Sequence, residues 1–254
     1  MSQSQPPLAA MDLPLRPLPP PAPIQFPPRP PQPPRTGDTK SDSAATLAWL
    51  KTSLETIYLA GRRSPDQDSP PKLALSAYLD MYSTTADYCE AAKQFRRGRS
   101  PPYFDDLYNC LQDTIRTHCN EIRSHLFASR NSTGIDDARR LIGEYLAHWN
   151  MLARLAALIK NVMRYFESWW IKRYTGEGRQ DIYFIRDLHT VVWKEAVLYV
   201  GVEVAGEATR AELDRAVGLL QKEGQGGIES DNDLVWRFME SFRAVGLPTV
   251  LVFR

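Results

Sequence analysis

The chain has 254 residues, 43% of them hydrophobic and 24% charged, and carries a net charge of +1 at pH 7. It is long enough to bury a sizeable core. That charge balance excludes a global basic field for nucleic acid, and there is no strongly acidic tail.

The cysteines are Cys89, Cys110 and Cys119. An odd, sparse set suits a reducing compartment better than a disulfide framework. No secretory signal is expected at the N-terminus, and no apolar run approaches the about 18 residues of a membrane span. "NST" at Asn131 matches a glycosylation sequon and reads as a loop. The expectation is a cytoplasmic and nuclear, mainly globular protein with no membrane or nucleic-acid partner.

Fourteen of the twenty prolines lie in residues 1–35, as in "PLRPLPPPAPIQFPPRPPQPPR". Proline fixes φ and lacks an N–H, so this stretch forms neither helix nor inner strand. It is expected to be a disordered, polyproline-type tail over residues 1–44. PxxP spacings beside Arg16, Arg29 and Arg35 match what SH3 and WW domains bind.

A helical period then begins, with Leu47, Leu50, Leu54 and Ile57 at steps of three and four. Ser41 or Ser43 is a candidate cap. "GRRSPDQDSPP" breaks this helix, and a second is expected from Lys72 to Phe95. A third runs from Tyr103 to Ala128, with Leu107, Leu111, Ile115, Ile122 and Leu126 on one side. After "SRNSTG", a long fourth helix is expected from Ile135 to Tyr174, roughly 55 Å at 1.5 Å per residue. Asp136 and Asp137 suit its start, where the helix dipole favours negative charge. Its stripe comprises Leu141, Tyr145, Trp149, Leu152, Leu155, Ile159, Val162 and Phe166. A fifth helix is expected from Asp181 to Val200, and two more over 207–223 and 231–245, separated by "GQGG". The closing "TVLVF" is too short to build a sheet. The fold class is all-α, an elongated stack of about seven helices by periodicity.

The sequence carries no recognisable chemistry. Cys110, His118 and His125 fall near one helix face, but one face of one helix makes no tetrahedral metal site. They are read as a packed cysteine and surface histidines. No nucleophile elbow, zincin or phosphate-loop motif occurs, and Cys89 has no activating partner in view. The basic run "KQFRRGRS" reads as a solvated helix end and loop. Neither enzymatic activity nor a cofactor is expected.

Two segments carry more apolar surface than a core-facing stripe needs. On the second helix, Leu75, Tyr78, Leu79, Met81, Tyr82, Ala86, Tyr88 and Cys89 cover roughly half the circumference, against a little over 100° for a buried stripe. The fifth leaves scarcely a polar side from Ile182 to Val197. Either these helices are buried all round, or one edge faces a partner. Tyrosine and tryptophan suit the second reading.

Particular stretches resemble the N-terminal region of SCF-type cullins. "SAYLDMYSTTADYC" (Ser76 to Cys89) is similar to their second helix. "YFESWWIKRY", "GEGR" and "DIYFIRDLHTVVW" are similar to the end of their long fourth helix, the linker and the fifth helix. "LYNCLQDTIRTHCNEI" resembles the third helix, and "WRFMESFRAVGL" a helix of the second repeat. The similarity covers about residues 45–247. It implies a cullin-repeat bundle with a first, adaptor-binding repeat at 45–200 and the start of a truncated second at 201–254. It further implies a non-catalytic scaffold fragment of a ubiquitin ligase, without the RING-binding C-terminal domain, that acts in ubiquitin-dependent degradation. Its second and fifth helices would bind the BTB-fold adaptor of F-box proteins. Carried over by position, the adaptor contacts are Tyr78, Leu79, Met81, Tyr82 and Thr85, then Tyr183, Arg186, His189 and Thr190. Arg186 and His189 depart from the family pattern. Trp149, Phe166, Trp169 and Trp193 are expected in the core. The alternative function is a proline-rich protein that binds SH3 or WW domains on a cullin-like body.

Overall fold

The computed structural model of the chain describes residues 23–29, 39–63, 71–94, 103–127, 134–198, 205–224 and 229–247. The regular elements among them are helical, as the periodicity predicts: α1 (Thr39–Arg63), α2 (Leu75–Gln94), α3 (Tyr103–Phe127), α4 (Ile135–Val162), α5 (Ile185–Trp193), α6 (Ala205–Gly224) and α7 (Glu229–Ala244). The "TVLVF" stretch, the asparagine of the sequon and residues 225–228 of the glycine-rich break lie outside the described residues.

Helix boundaries differ from the sequence reading for local reasons. Ser41 and Ser43 lie inside α1, which starts at Thr39, so neither caps it. α2 starts at Leu75 rather than Lys72, because the preceding backbone is paired elsewhere. The Ile24 N–H donates to the Lys72 carbonyl at 2.8 Å, and the Ala74 N–H donates to the Ile24 carbonyl at 3.1 Å. Residues 23–29 of the proline-rich segment, expected to be an unattached tail, thus lie against the body.

The fourth helix is not a uniform rod. α4 closes at Met163, whose φ of −103° and ψ of 18° leave the helical region. The chain continues as Arg164–Phe166, a π turn over Glu167–Ile171, and Lys172–Gly176. Such a turn inserts a residue and rotates the face that follows. Here Trp170 and Ile171 both enter the core. Phe166 stacks on Trp170 at 5.1 Å between ring centres, and Trp170 meets Tyr108 of α3 at 5.5 Å.

α4 is the hub: α6, α5, α7 and α1 all pack on it, and α1 also packs on α3. At Gly61, α1 comes so close that an added Cβ would lie 2.8 Å from Leu155 Cδ1. The core runs continuously from Trp49 to Leu247. Phe166 and Trp193 are buried as expected, whereas Trp149 and Trp169 are only partly so. At its centre the Trp193 indole N–H donates to the Tyr145 hydroxyl at 3.2 Å. Farther along, the Arg139 guanidinium donates twice to the enclosed carboxylate of Asp231, at 2.8 and 2.9 Å, and so holds α7 on α4.

The buried carboxylate of Glu167 joins the two arms of the aromatic hairpin. It accepts the Ile185 N–H at 3.0 Å, at the start of α5, and lies 3.4 Å from Lys160 Nζ. An anion there satisfies an orphan donor and complements the helix dipole. Glu167→Ala leaves that N–H buried and unpaired, which costs about 1–3 kcal/mol. Glu167→Gln retains an acceptor and should lose less. Urea unfolding of both variants tests this: an alanine variant with the wild-type midpoint would remove Glu167 from this role.

Candidate functional site

A helix advances about 100° per residue, so positions 75, 79, 82 and 86 fall within an arc of about 60°. On α2 these are Leu75, Leu79, Tyr82 and Ala86. Leu75 is 75% exposed, Leu79 53% and Tyr82 37%. The opposite side of the helix, with Ala77, Met81, Thr84 and Tyr88, is buried against the body, and Cys89 is buried as well. α2 is therefore not buried all round; it offers an apolar ridge to solvent. Tyr78 sits at the margin, partly buried, with its hydroxyl donating to the Asn161 carbonyl at 3.4 Å.

The second candidate face is split between a loop and a helix. α5 begins at Ile185, not Asp181, because the linker turns first. Gly178 takes φ of 85°, a conformation that side chains disfavour. Arg179 then bridges Asp105 of α3, at 3.2 Å, and Asp181. The Tyr183 N–H donates to the Tyr108 hydroxyl at 2.8 Å instead of to a helical carbonyl. Burial pushes the Tyr108 phenol up to about 12, so it stays a neutral partner. Tyr183 and Phe184 are left at 36% and 37% exposure just before the helix. Arg186 is exposed and Thr190 half-buried on α5 itself.

Three of the sequence-derived contact residues are interior. Met81 and Thr85 are fully buried on the inner side of α2. His189 is buried on α5 and hydrogen-bonded at both ring nitrogens. Its Nδ1 lies 2.6 Å from the Ile185 carbonyl, and its Nε2 lies 2.6 Å from the Tyr58 hydroxyl. The carbonyl can only accept, so Nδ1 carries the proton and Nε2 accepts from Tyr58. Burial holds His189 down to about 4. His118, read as a surface residue, instead packs its ring 5.0 Å from Tyr58. Burial foremost, then the charge of Arg62, lowers it to about 3.

His118 lies on the inward side of α3 with Ile115, Cys119 and Ile122, whereas Cys110 is half-buried. Among the described residues no cluster of three or more histidines, cysteines or carboxylates is arranged to hold a metal. No helix there is long and apolar enough to cross a membrane.

α2 packs mainly on α1 and the Arg164–Phe166 turn, whereas α5 packs mainly on α4 and α3. The Tyr58–His189 bond of α1 is thus a physical link between the two faces. The two outward faces add Leu75 on α2 and Phe184 before α5 to the sequence-derived set; the spacing of Leu75 to Leu79 and Tyr82 is the available signal.

Comparison with known proteins adds two findings. Residues 50–248 match the family model described as the cullin alpha solenoid domain. An alignment of 132 positions that covers 47% of this chain shows 25% identity to Cullin-1 of Dictyostelium discoideum; the match covers 16% of that protein's length.

The two neutral histidines make stability pH-dependent. Their folded values lie below the ordinary 6.5. The unfolded chain therefore takes up protons first, and stability falls as pH drops through 6.5 toward 4. At pH 5 each should have lost about 2 kcal/mol relative to pH 7. Urea unfolding at both pH values checks this, with a His118→Gln/His189→Gln variant expected to show a shallower dependence. An equal dependence in that variant would place the effect elsewhere.

Proposed function

The chain belongs to the cullin family, and from that premise we propose that it is the adaptor-binding scaffold region of an SCF-type ubiquitin ligase. Its partner is the BTB-fold adaptor and, through it, F-box proteins, in ubiquitin-dependent degradation in the cytoplasm and nucleus. It does no chemistry of its own; its work is to hold the adaptor on a stiff helical body.

The observation that carries this reading is the exposed apolar ridge of α2, Leu75, Leu79 and Tyr82, the last two within the stretch that resembles the adaptor-binding helix of these cullins. Covering the part of each side chain that is still in solvent contributes about 1 kcal/mol, so the three together can anchor a contact. Tyr78 at the margin, with Tyr183, Arg186 and Thr190 on the other face, completes the proposed contact set. Tyrosine and arginine are the side chains that most often dominate such surfaces. Met81, Thr85 and His189 support the faces from beneath and do not belong to the contact.

A titration of the chain with the purified adaptor–F-box complex tests the proposal. One-to-one, submicromolar binding is expected. Leu79→Ala/Tyr82→Ala should weaken it by about 2–4 kcal/mol, the scale of two anchor residues, with the helical circular dichroism unchanged. Trp236→Ala, which removes an exposed side chain on α7, should not alter it. Unchanged affinity in the double variant would sink the assignment of α2.

A further inference from the structure

The seven described residues of the proline-rich segment are held at four successive points. Ile24 pairs in parallel with Leu73 through the two backbone hydrogen bonds at Lys72 and Ala74. Phe26 packs edge-on against Trp49 of α1, with ring centres 5.8 Å apart. The Trp49 indole N–H donates to the Pro27 carbonyl at 3.1 Å. Arg29 donates to the Ser83 hydroxyl at 2.9 Å and pairs with Asp87, one turn apart on α2.

Each of these contacts suits a proline-rich ligand. A proline tract lacks donors but presents carbonyls, so its reader supplies an N–H on an aromatic platform. A neighbouring arginine calls for a carboxylate, which fixes the direction of the peptide. Trp49 and Asp87 supply these two functions. Because proline already restricts φ, ordering such a segment costs little conformational entropy.

We propose that the Lys72–Ala74 backbone, Trp49, Ser83 and Asp87 form a binding site for an extended peptide of hydrophobic–Pro–x–Arg type, and that the occupant is the chain's own "IQFPPR", residues 24–29. Arg29, one of the PxxP-flanking arginines expected to serve SH3 or WW domains, is committed in cis. Ser83 follows Tyr82 and Asp87 follows Ala86, so the seated segment runs along one edge of the exposed ridge of α2. These contacts do not depend on the identity of the adaptor.

Hydrogen exchange on the full-length chain tests it, read at the amides of Ile24 and Ala74. Wild type should exchange Ile24 at least about tenfold more slowly than a synthetic peptide of residues 20–32. Arg29→Ala and Asp87→Ala should each lose about tenfold of that protection, the scale of a hydrogen bond to a charged group. The exchanged pair, Arg29→Asp with Asp87→Arg, should restore it. Both substituted positions are outside the core, so global stability serves as the control. Peptide-like exchange in wild type, or protection that survives Arg29→Ala, overturns the site. Failure of the exchanged pair overturns the pairing, and protection that rises with protein concentration overturns occupancy in cis.

Discussion

The buried carboxylate of Glu167 sets the geometry on which the proposed contact surface rests. It lies between Lys160 of α4 and the first N–H of α5. A charge there is tolerable only because it is paired and hydrogen-bonded. The π turn it opens rotates Trp170 and Ile171 inward, and Trp170 in turn meets Tyr108 of α3. Tyr108 receives the Tyr183 N–H. A single polar contact is thus continuous with the aromatic packing that fixes where the linker leaves α4 and where α5 begins. The exposed positions of Tyr183, Phe184 and Arg186 follow from that start.

A second polar element works in the same way from the other side. Tyr58 of α1 and His189 of α5 share a proton donor and an acceptor in the interior. The resulting tautomer is neutral, so the bond joins two helices without burying a charge. Because α1 also packs on α2, the two outward faces belong to one packed framework. Rigidity matters to a scaffold, since an interface that is already formed loses less entropy when it closes.

The surface complements this interior. The inner side of α2 is buried as deeply as any core helix, yet its outer side keeps Leu75, Leu79 and Tyr82 in solvent. Beside that ridge, the body engages an extended stretch of its own proline-rich segment. One short helix therefore supports a core, an apolar edge and a seat for a peptide, on successive sectors of its circumference.

Hydrophobic spacing by itself determined that the chain is all-α, where most helices lie, and that α2 carries more apolar surface than its core needs. Leu107, Leu111, Ile115 and Ile122 are buried as their period requires, because a 3.6-residue repeat leaves no other face for them. The resemblance in "SAYLDMYSTTADYC" and "DIYFIRDLHTVVW" pointed to the family that the match over residues 50–248 shows. What spacing could not determine is which of two neighbouring apolar residues faces inward. Met81 and Tyr82 are adjacent, and only packing against the body buries one and exposes the other. Likewise His189 could be placed on α5 but not known to be interior, because its partner Tyr58 is 131 residues away. The start of α5 and the seating of residues 24–29 share that cause. Each is decided by a hydrogen bond between segments distant in sequence, which local periodicity does not encode and only the tertiary structure brings together.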